Sequence, residues 1–187
     1  DDPEISMDQL LQKITGPDFP TGGYIIGRDG IRKAYETGKG KIVLRAKVDI
    51  RKLPGGKKQL VITEIPYQIN KAALLEKILH LSEKRKGVLT GISDIRDESD
   101  RTGIRAVIEI KKDADAQKVL NYLYKYSDLQ TTFGVNMVAI ADGKPRQLDL
   151  KSMVQYYIRH QETVVTRRTQ YDLDKAKARA HILEGLI

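Results

Sequence analysis

The residues best suited to chemistry in this chain are cations, and they are unevenly spread. Between Arg28 and Lys86 the sequence holds sixteen Lys and Arg against six Asp and Glu, a net charge of +10. The whole chain of 187 residues carries +8, so the remainder sums to −2. The cations arrive as Arg28, Arg32/Lys33, Lys39/Lys41, Arg45/Lys47, Arg51/Lys52, Lys57/Lys58 and Lys84-Arg85-Lys86. Any one cluster could be an ordinary solvated face. Together they suit a polyanion, because each neutralised phosphate releases counterions and the gains accumulate. Just ahead of the basic run lie a turn-rich loop, Gly16-Pro-Asp-Phe-Pro-Thr-Gly-Gly23, and the apolar segment Tyr24-Ile25-Ile26. Pro17 and Pro20 stiffen the loop, and Gly22 and Gly23 allow close backbone approach. An aliphatic side chain held among phosphate-binding cations can wedge a base step and kink a duplex. The same isoleucines could equally anchor the loop to a core.

Other chemistries fit poorly. Gly22-x4-Gly27-Arg28-Asp29 lacks the lysine and hydroxyl with which a phosphate-binding loop grips phosphate and Mg²⁺. Asp94, Asp97, Glu98 and Asp100 follow no calcium-loop spacing and read as a polar hairpin tip. His80, His160 and His181 are scattered without HExxH spacing, and no serine or threonine sits in a nucleophile elbow or Ser-x-x-Lys pattern. Tyr122, Tyr124 and Tyr126 fall in a helical run and read as packing residues. With no cysteine and three histidines there is no disulfide framework, thiol nucleophile or zinc-finger array. No apolar stretch approaches the length of a membrane span, and the acidic start Asp1-Asp2-Pro3-Glu4 is unlike a signal peptide. The expected location is cytoplasmic, with no metal, cofactor-binding or catalytic residue in the chain itself.

The elements that must position these residues follow from periodicity. Ser6 caps a short helix with Met7, Leu10, Leu11 and Ile14 on one face. Asp29 is expected to cap a second, bearing Ile31, Ala34 and Tyr35 and ending at Gly38. Lys41–Ile50 alternates as one strand and forms a hairpin with Gln59–Ile65 through Pro54-Gly55-Gly56. Asn70 opens an amphipathic helix to Arg85. Ile92–Arg96 and Ile104–Lys111 are strands, Asp113 is expected to cap a helix through Tyr124, and Leu129–Ile140 reads as a strand. From Gln59 onward the order is β-α-β-β-α-β, a ferredoxin-like arrangement preceded by an extra strand. Asp149–Ile187 reads as one long helix. The expected class is α+β, mainly antiparallel, in three parts: a helical segment at 1–15, an α+β domain at 16–148 and a long helix at 149–187. The absent initiator Met and the uncapped final helix suggest a piece of a longer subunit.

Six ordered motifs closely resemble the A subunit of bacterial type IIA DNA topoisomerases. They are Gly16-Pro-Asp-Phe-Pro-Thr-Gly-Gly23, the run Gly30–Gly40, Glu64-Ile-Pro-Tyr-Gln-Ile-Asn-Lys71, Arg96-Asp-Glu-Ser-Asp100, Phe133-Gly-Val-Asn-Met-Val-Ala139 and His160-Gln-Glu-Thr-Val-Val-Thr-Arg-Arg-Thr169. The last two look more like the gyrase branch than the topoisomerase IV branch. The resemblance covers essentially the whole chain and implies a tower domain leading into the coiled coil of the exit gate. Its implied partners are double-stranded DNA, a second A subunit, and a B subunit, the proteins forming an A2B2 assembly. It also implies that Mg²⁺ and ATP enter through the B subunit. In the family, a tyrosine in an Arg-Tyr-Thr motif upstream of Gly-Pro-Asp-Phe-Pro-Thr attacks DNA. That motif does not occur here, so no tyrosine of this chain inherits the role and the piece alone is expected to be inactive.

One functional residue transfers: the family's DNA-bending isoleucine, which follows Phe-Pro-Thr, matches Ile25, with Ile26 the less favoured register. Position alone nominates Arg28, Arg32, Lys39, Lys41 and Arg45 as phosphate contacts. The implied activity of the intact enzyme is ATP-driven negative supercoiling through a transient double-strand break. The alternatives are a free-standing nucleic-acid-binding module and decatenation within a topoisomerase IV. RNA-recognition folds share the β-α-β-β-α-β order but stack bases on aromatics, and this chain has only 2 Phe.

Overall fold

The computed structural model describes residues 1–84 and 87–187. Arg85 and Lys86, and with them the end expected for the third helix, lie outside the described residues. The chain forms an α+β fold from antiparallel sheets and closes with a long helix, as its periodicity indicates.

Helix α1 (Met7–Lys13) opens with a capping box: the Ser6 hydroxyl accepts from the Gln9 amide, and the Gln9 side chain accepts from the Ser6 amide. Strand β1 (Tyr24–Ile26) precedes α2 (Asp29–Thr37), which ends at Gly38. The residue flanking α2 is Arg28, with no side-chain cap bond; Asp29 lies one position too far inside to cap and instead places its charge in the positive first turn. Strands β2 (Lys39–Arg45) and β3 (Lys47–Lys52) follow, then β4 (Lys58–Glu64).

The expected single strand through Lys41–Ile50 is therefore two, broken at Ala46. Ala46 is fully buried, and its amide donates to the Leu129 carbonyl at 2.7 Å. The alternation continues across the break but serves two cores. Ile42 and Leu44 pack with Ile31 and Tyr35 of α2, whereas Ala46 and Val48 face the core built on β4.

Helix α3 (Lys71–Glu83) starts where the Asn70 side chain accepts from the Ala73 amide. Strands β5 (Ile92–Asp97) and β6 (Ala106–Ile110) then lead to α4 (Ala116–Tyr126). Its cap is Asp115, whose carboxylate accepts from the Gln117 and Lys118 amides; Asp113, the expected cap, falls in the preceding turn. Strands β7 (Gln130–Asn136), β8 (Val138–Ala141) and β9 (Lys144–Gln147) and helix α5 (Leu150–Glu184) complete the chain.

The β-α-β-β-α-β order is present as β4-α3-β5-β6-α4-β7, but its last strand pairs elsewhere. One sheet runs β3-β4-β6-β5, with β3 in the place beside β4 that a closing strand would take. β7 instead pairs along the whole of β2 in the sheet β1-β2-β7. Its inward residues Phe133 and Val135 pack with the α2 core. Under the four-stranded sheet, Leu60, Ile62, Ile108 and Ile110 meet Leu74 and Ile78 of α3 and Val119, Leu120 and Leu123 of α4. The expected Leu129–Ile140 strand breaks at Met137, which donates to the Gly38 carbonyl and accepts from the Leu148 amide.

Candidate nucleic-acid interface

Three of the nominated cations share one surface. In β2, residues 42 and 44 point to the α2 core, so Lys39, Lys41 and Arg45 point the other way. Gly40 explains how a helix can lie on this strand. A Cβ on Gly40 would stand 2.9 Å from the Ala34 nitrogen and the Gly30 carbonyl oxygen, and one on Gly30 only 2.0 Å from the Lys41 carbonyl oxygen. Helix α2 therefore rests backbone to backbone on β2, and the two lysines flanking Gly40 are turned outward. Both are exposed. Lys33, in the basic run but not among the nominated contacts, lines the same groove as Lys39, Lys41 and Asn136.

Arg45 is held more firmly. Its Nε donates to the Gln130 side chain at 2.9 Å, and its guanidinium lies 4.5 Å from the centre of the Tyr124 ring. Tyr24 sits opposite Arg45 in the β1–β2 pairing. Burial raises the Tyr124 phenol pKa, with Arg45 opposing and Tyr24 reinforcing the shift; burial also raises Tyr35, helped by Asp18. Both phenols are thus kept protonated, the reverse of an activated nucleophile.

The other two nominees face elsewhere. Arg28 is exposed at the start of α2, beside a hollow shared with α1. Arg32 pairs with Asp8 of α1 at 2.7 Å and with Glu36 at 2.8 Å. The hydrogen bond to Asp8, then the charges of Asp8 and Glu36, raise its pKa. Its charge is already matched, so its present arrangement ties α1 to α2.

β1 is the outer strand beside this basic surface. Ile25 lies opposite Leu44 and is half-buried against the α2 core, while Tyr24 and Ile26, at 52% and 39% exposure, flank it on the other face. The loop that delivers β1 is fixed at two points. Gly23 donates its amide to the Glu64 carboxylate at 2.6 Å, and a Cβ on Gly22 would collide with that carboxylate at the same 2.6 Å. Behind it, Phe19, Tyr67 and Phe133 form a ring cluster with centroids 5.2 to 5.9 Å apart. Three motifs far apart in sequence thus meet at one loop, which spacing alone could not indicate.

The acidic hairpin is internally compensated. Arg96 pairs with Asp94, Glu98 and Glu109, Arg105 with Glu98, and Lys71 with Asp97 at 2.9 Å. Hydrogen bonding from Ser99, then from Lys71, lowers the Asp97 pKa to about 2. A carboxylate set matched in this way does not suit a metal, and among the described residues no cluster of His, Asp and Glu could hold one. Nor, among those residues, is any helix long and apolar enough to cross a membrane.

The chain is thus an antiparallel α+β body with one outward basic strand, an adjoining aliphatic edge strand and a long terminal helix. Comparison makes the assignment specific: the chain belongs to the family of the A subunit of DNA gyrase/topoisomerase IV, matched over residues 1–187. It is 56% identical over 186 residues to the A subunit of DNA gyrase from Clostridium acetobutylicum, covering 100% of this chain and 22% of that protein. It is 53% identical over 187 residues to the A subunit of DNA topoisomerase 4 from Staphylococcus epidermidis, covering 100% and 23%. The A subunit of DNA gyrase from Staphylococcus aureus is 54% identical over 185 residues, covering 98% and 21%. The chain therefore spans less than a quarter of the length of these relatives.

Proposed function

We propose that this chain is the duplex-holding and duplex-bending part of a DNA gyrase A subunit, acting in the cytoplasm. The observation that carries the reading is the row Lys39, Lys41 and Arg45 on one open strand face, beside the outer strand that bears Ile25. The row would neutralise phosphates of a duplex lying across β2, while Ile25, which shares the face of Leu44 on the other side of the outer strand, would leave its contact with the α2 core to enter a base step. Bending by several tens of degrees costs of order 1–6 kcal/mol, which cationic contacts on either side of the kink can offset. Arg28 adds a fourth contact at the start of α2, and Arg32 joins only if Asp8 releases it.

In the intact enzyme, an A2B2 assembly, this bend would prepare the DNA for a transient double-strand break and ATP-driven negative supercoiling. The attacking tyrosine lies outside this segment, and Mg²⁺ and ATP come through the B subunit, so the chain alone neither cleaves DNA nor hydrolyses ATP. Topoisomerase IV is the second reading, favoured by the 53% identity to the A subunit of a topoisomerase 4. Supercoiling by the reconstituted A and B subunits, rather than decatenation alone, separates the two.

The wedge is tested by Ile25→Ala in the full subunit with its B partner, reading DNA bending by end-to-end energy transfer. The expected result is reduced bending and cleavage with the fold retained. Ile26 is more exposed and lies on the basic face, so Ile26→Ala is the companion variant. Loss of bending in Ile26→Ala alone moves the wedge by one residue, and loss in neither removes it.

A further inference from the structure

The basic stretch does not end with the row on β2. A second group of cations lies at the far end of the other sheet, where β3 turns into β4 and β6 ends. Lys52 and Lys58 are directly opposed in the β3–β4 pairing, and Arg51 and Lys57 adjoin them. The Lys112 side chain crosses the turn, its Cε 3.0 Å from where a Cβ on Gly56 would stand. Four of these five cations are exposed and Lys58 is half-exposed. Among the described residues, none of the five forms an ion pair. The carboxylates on neighbouring strands do not offset them: Asp49 lies further along β3, and Glu109 is engaged by Arg96 at 2.7 Å. Asp113 follows Lys112 in the chain and leaves the group strongly positive.

Like charges directly opposite each other in a hairpin disfavour the sheet. With Lys52 across from Lys58 and Lys57 and Lys112 beside them, the group is relieved when an anion neutralises it. The spacing from the first row suits a duplex. β2 and β3 are consecutive, with one residue between them, so Lys52 lies eleven positions after Lys41. At ~3.3 Å per residue they span at most roughly 36 Å, and the turn at Ala46 shortens this. One turn of B-form DNA is about 34–36 Å.

We propose that the β3–β4 hairpin end is a second duplex-phosphate contact, gripping the same DNA within about one helical turn of the β2 row. The inference rests on the duplex-holding role of that row. It adds a two-point grip, in which the second point engages only a duplex long enough to reach it.

The test measures fluorescence anisotropy of labelled 12-bp and 30-bp duplexes with the 187-residue chain across a salt series. Two variants are compared: K39Q/K41Q/R45Q, which removes the row, and K52Q/K57Q/K58Q/K112Q, which removes the hairpin cations. All the hairpin positions are surface residues, so circular dichroism of that variant should match the wild type. The hairpin variant should bind the 12-bp duplex within twofold of wild type and the 30-bp duplex about tenfold or more weakly. Its log–log salt slope on the long duplex should fall by roughly 2 to 4, at about 0.9 for each phosphate no longer neutralised. The row variant should weaken on both lengths. A hairpin variant that equals wild type on both, while the row variant weakens, overturns the second grip and leaves the row intact. A row variant that binds like wild type while the hairpin variant weakens on both lengths overturns the row and the two-point grip together. A wild type that binds neither duplex at low salt overturns both readings.

Discussion

Replacing Gly30 by alanine sets two physical effects against each other. Alanine is the better helix former, and in an unobstructed helix the change would stabilise by up to about 1 kcal/mol. Gly30 is not unobstructed. The new Cβ would stand 2.0 Å from the Lys41 carbonyl oxygen, 3.0 Å from its carbon and 3.4 Å from the Ile42 Cα. All three are backbone atoms of a paired strand, so none can rotate away. An ordinary carbon–oxygen contact is about 3.3 Å, so α2 must lift by roughly 1.3 Å. That would loosen Ile31 and Tyr35 from Ile42 and Leu44. Overpacking of this kind costs about 1–3 kcal/mol, and a clash this short belongs at the upper end. The net expectation is destabilisation by roughly 1–2 kcal/mol, read by urea unfolding followed in the far ultraviolet. A Gly30→Ala protein as stable as the wild type, or more stable, would refute the close-contact account of how α2 rests on β2.

Glu64→Gln keeps an acceptor for the Gly23 amide but removes its charge, an interaction of about 1 kcal/mol or more. Hydrogen exchange at Gly22 and Gly23 should quicken, and unchanged protection would assign the loop's order to the Phe19–Tyr67–Phe133 rings instead. Asp97 has a folded pKa lowered to about 2 from 3.8. Its stabilisation is complete above pH 4 and disappears as the pH falls through 2. Asp97→Asn should therefore lose less stability than wild type between pH 5 and 2.5 in urea titrations, and equal losses would show that the contacts from Ser99 and Lys71 are immaterial.

Much of the fold was legible because its signals are local. Ser6 and Asn70 each cap the helix expected of them. Asp29 and Asp113 did not, because several polar residues near a helix start are chemically able to cap and only backbone geometry chooses among them. The hinge at Ala46 was hidden for a different reason. Alternation has a period of two in either sheet, so a strand that changes partners keeps its pattern. The same blindness let β7 read as the closing strand of the wrong sheet. At the interface, the outward side of Lys39, Lys41 and Arg45 follows from alternation alone, whereas the pairing of Arg32 with Asp8 depends on how α1 meets α2. Motif likeness marked Phe19, Tyr67 and Phe133 separately, but only the fold brings them into contact.

Helix α5 has a mechanical consequence. Its 35 residues include none that is buried. Its hold on the body lies near its start, where the Asp149 carboxylate accepts from the Ser152 amide, Leu150 packs with the α2 core, and Arg146 reaches Tyr156. At ~1.5 Å per residue the helix is roughly 52 Å long. At that length each degree of tilt about Leu150 would displace the far turns of the helix by about 0.9 Å. A shift of α2, which shares the anchorage of Leu150, would thereby be felt most strongly at a point far from the basic strand.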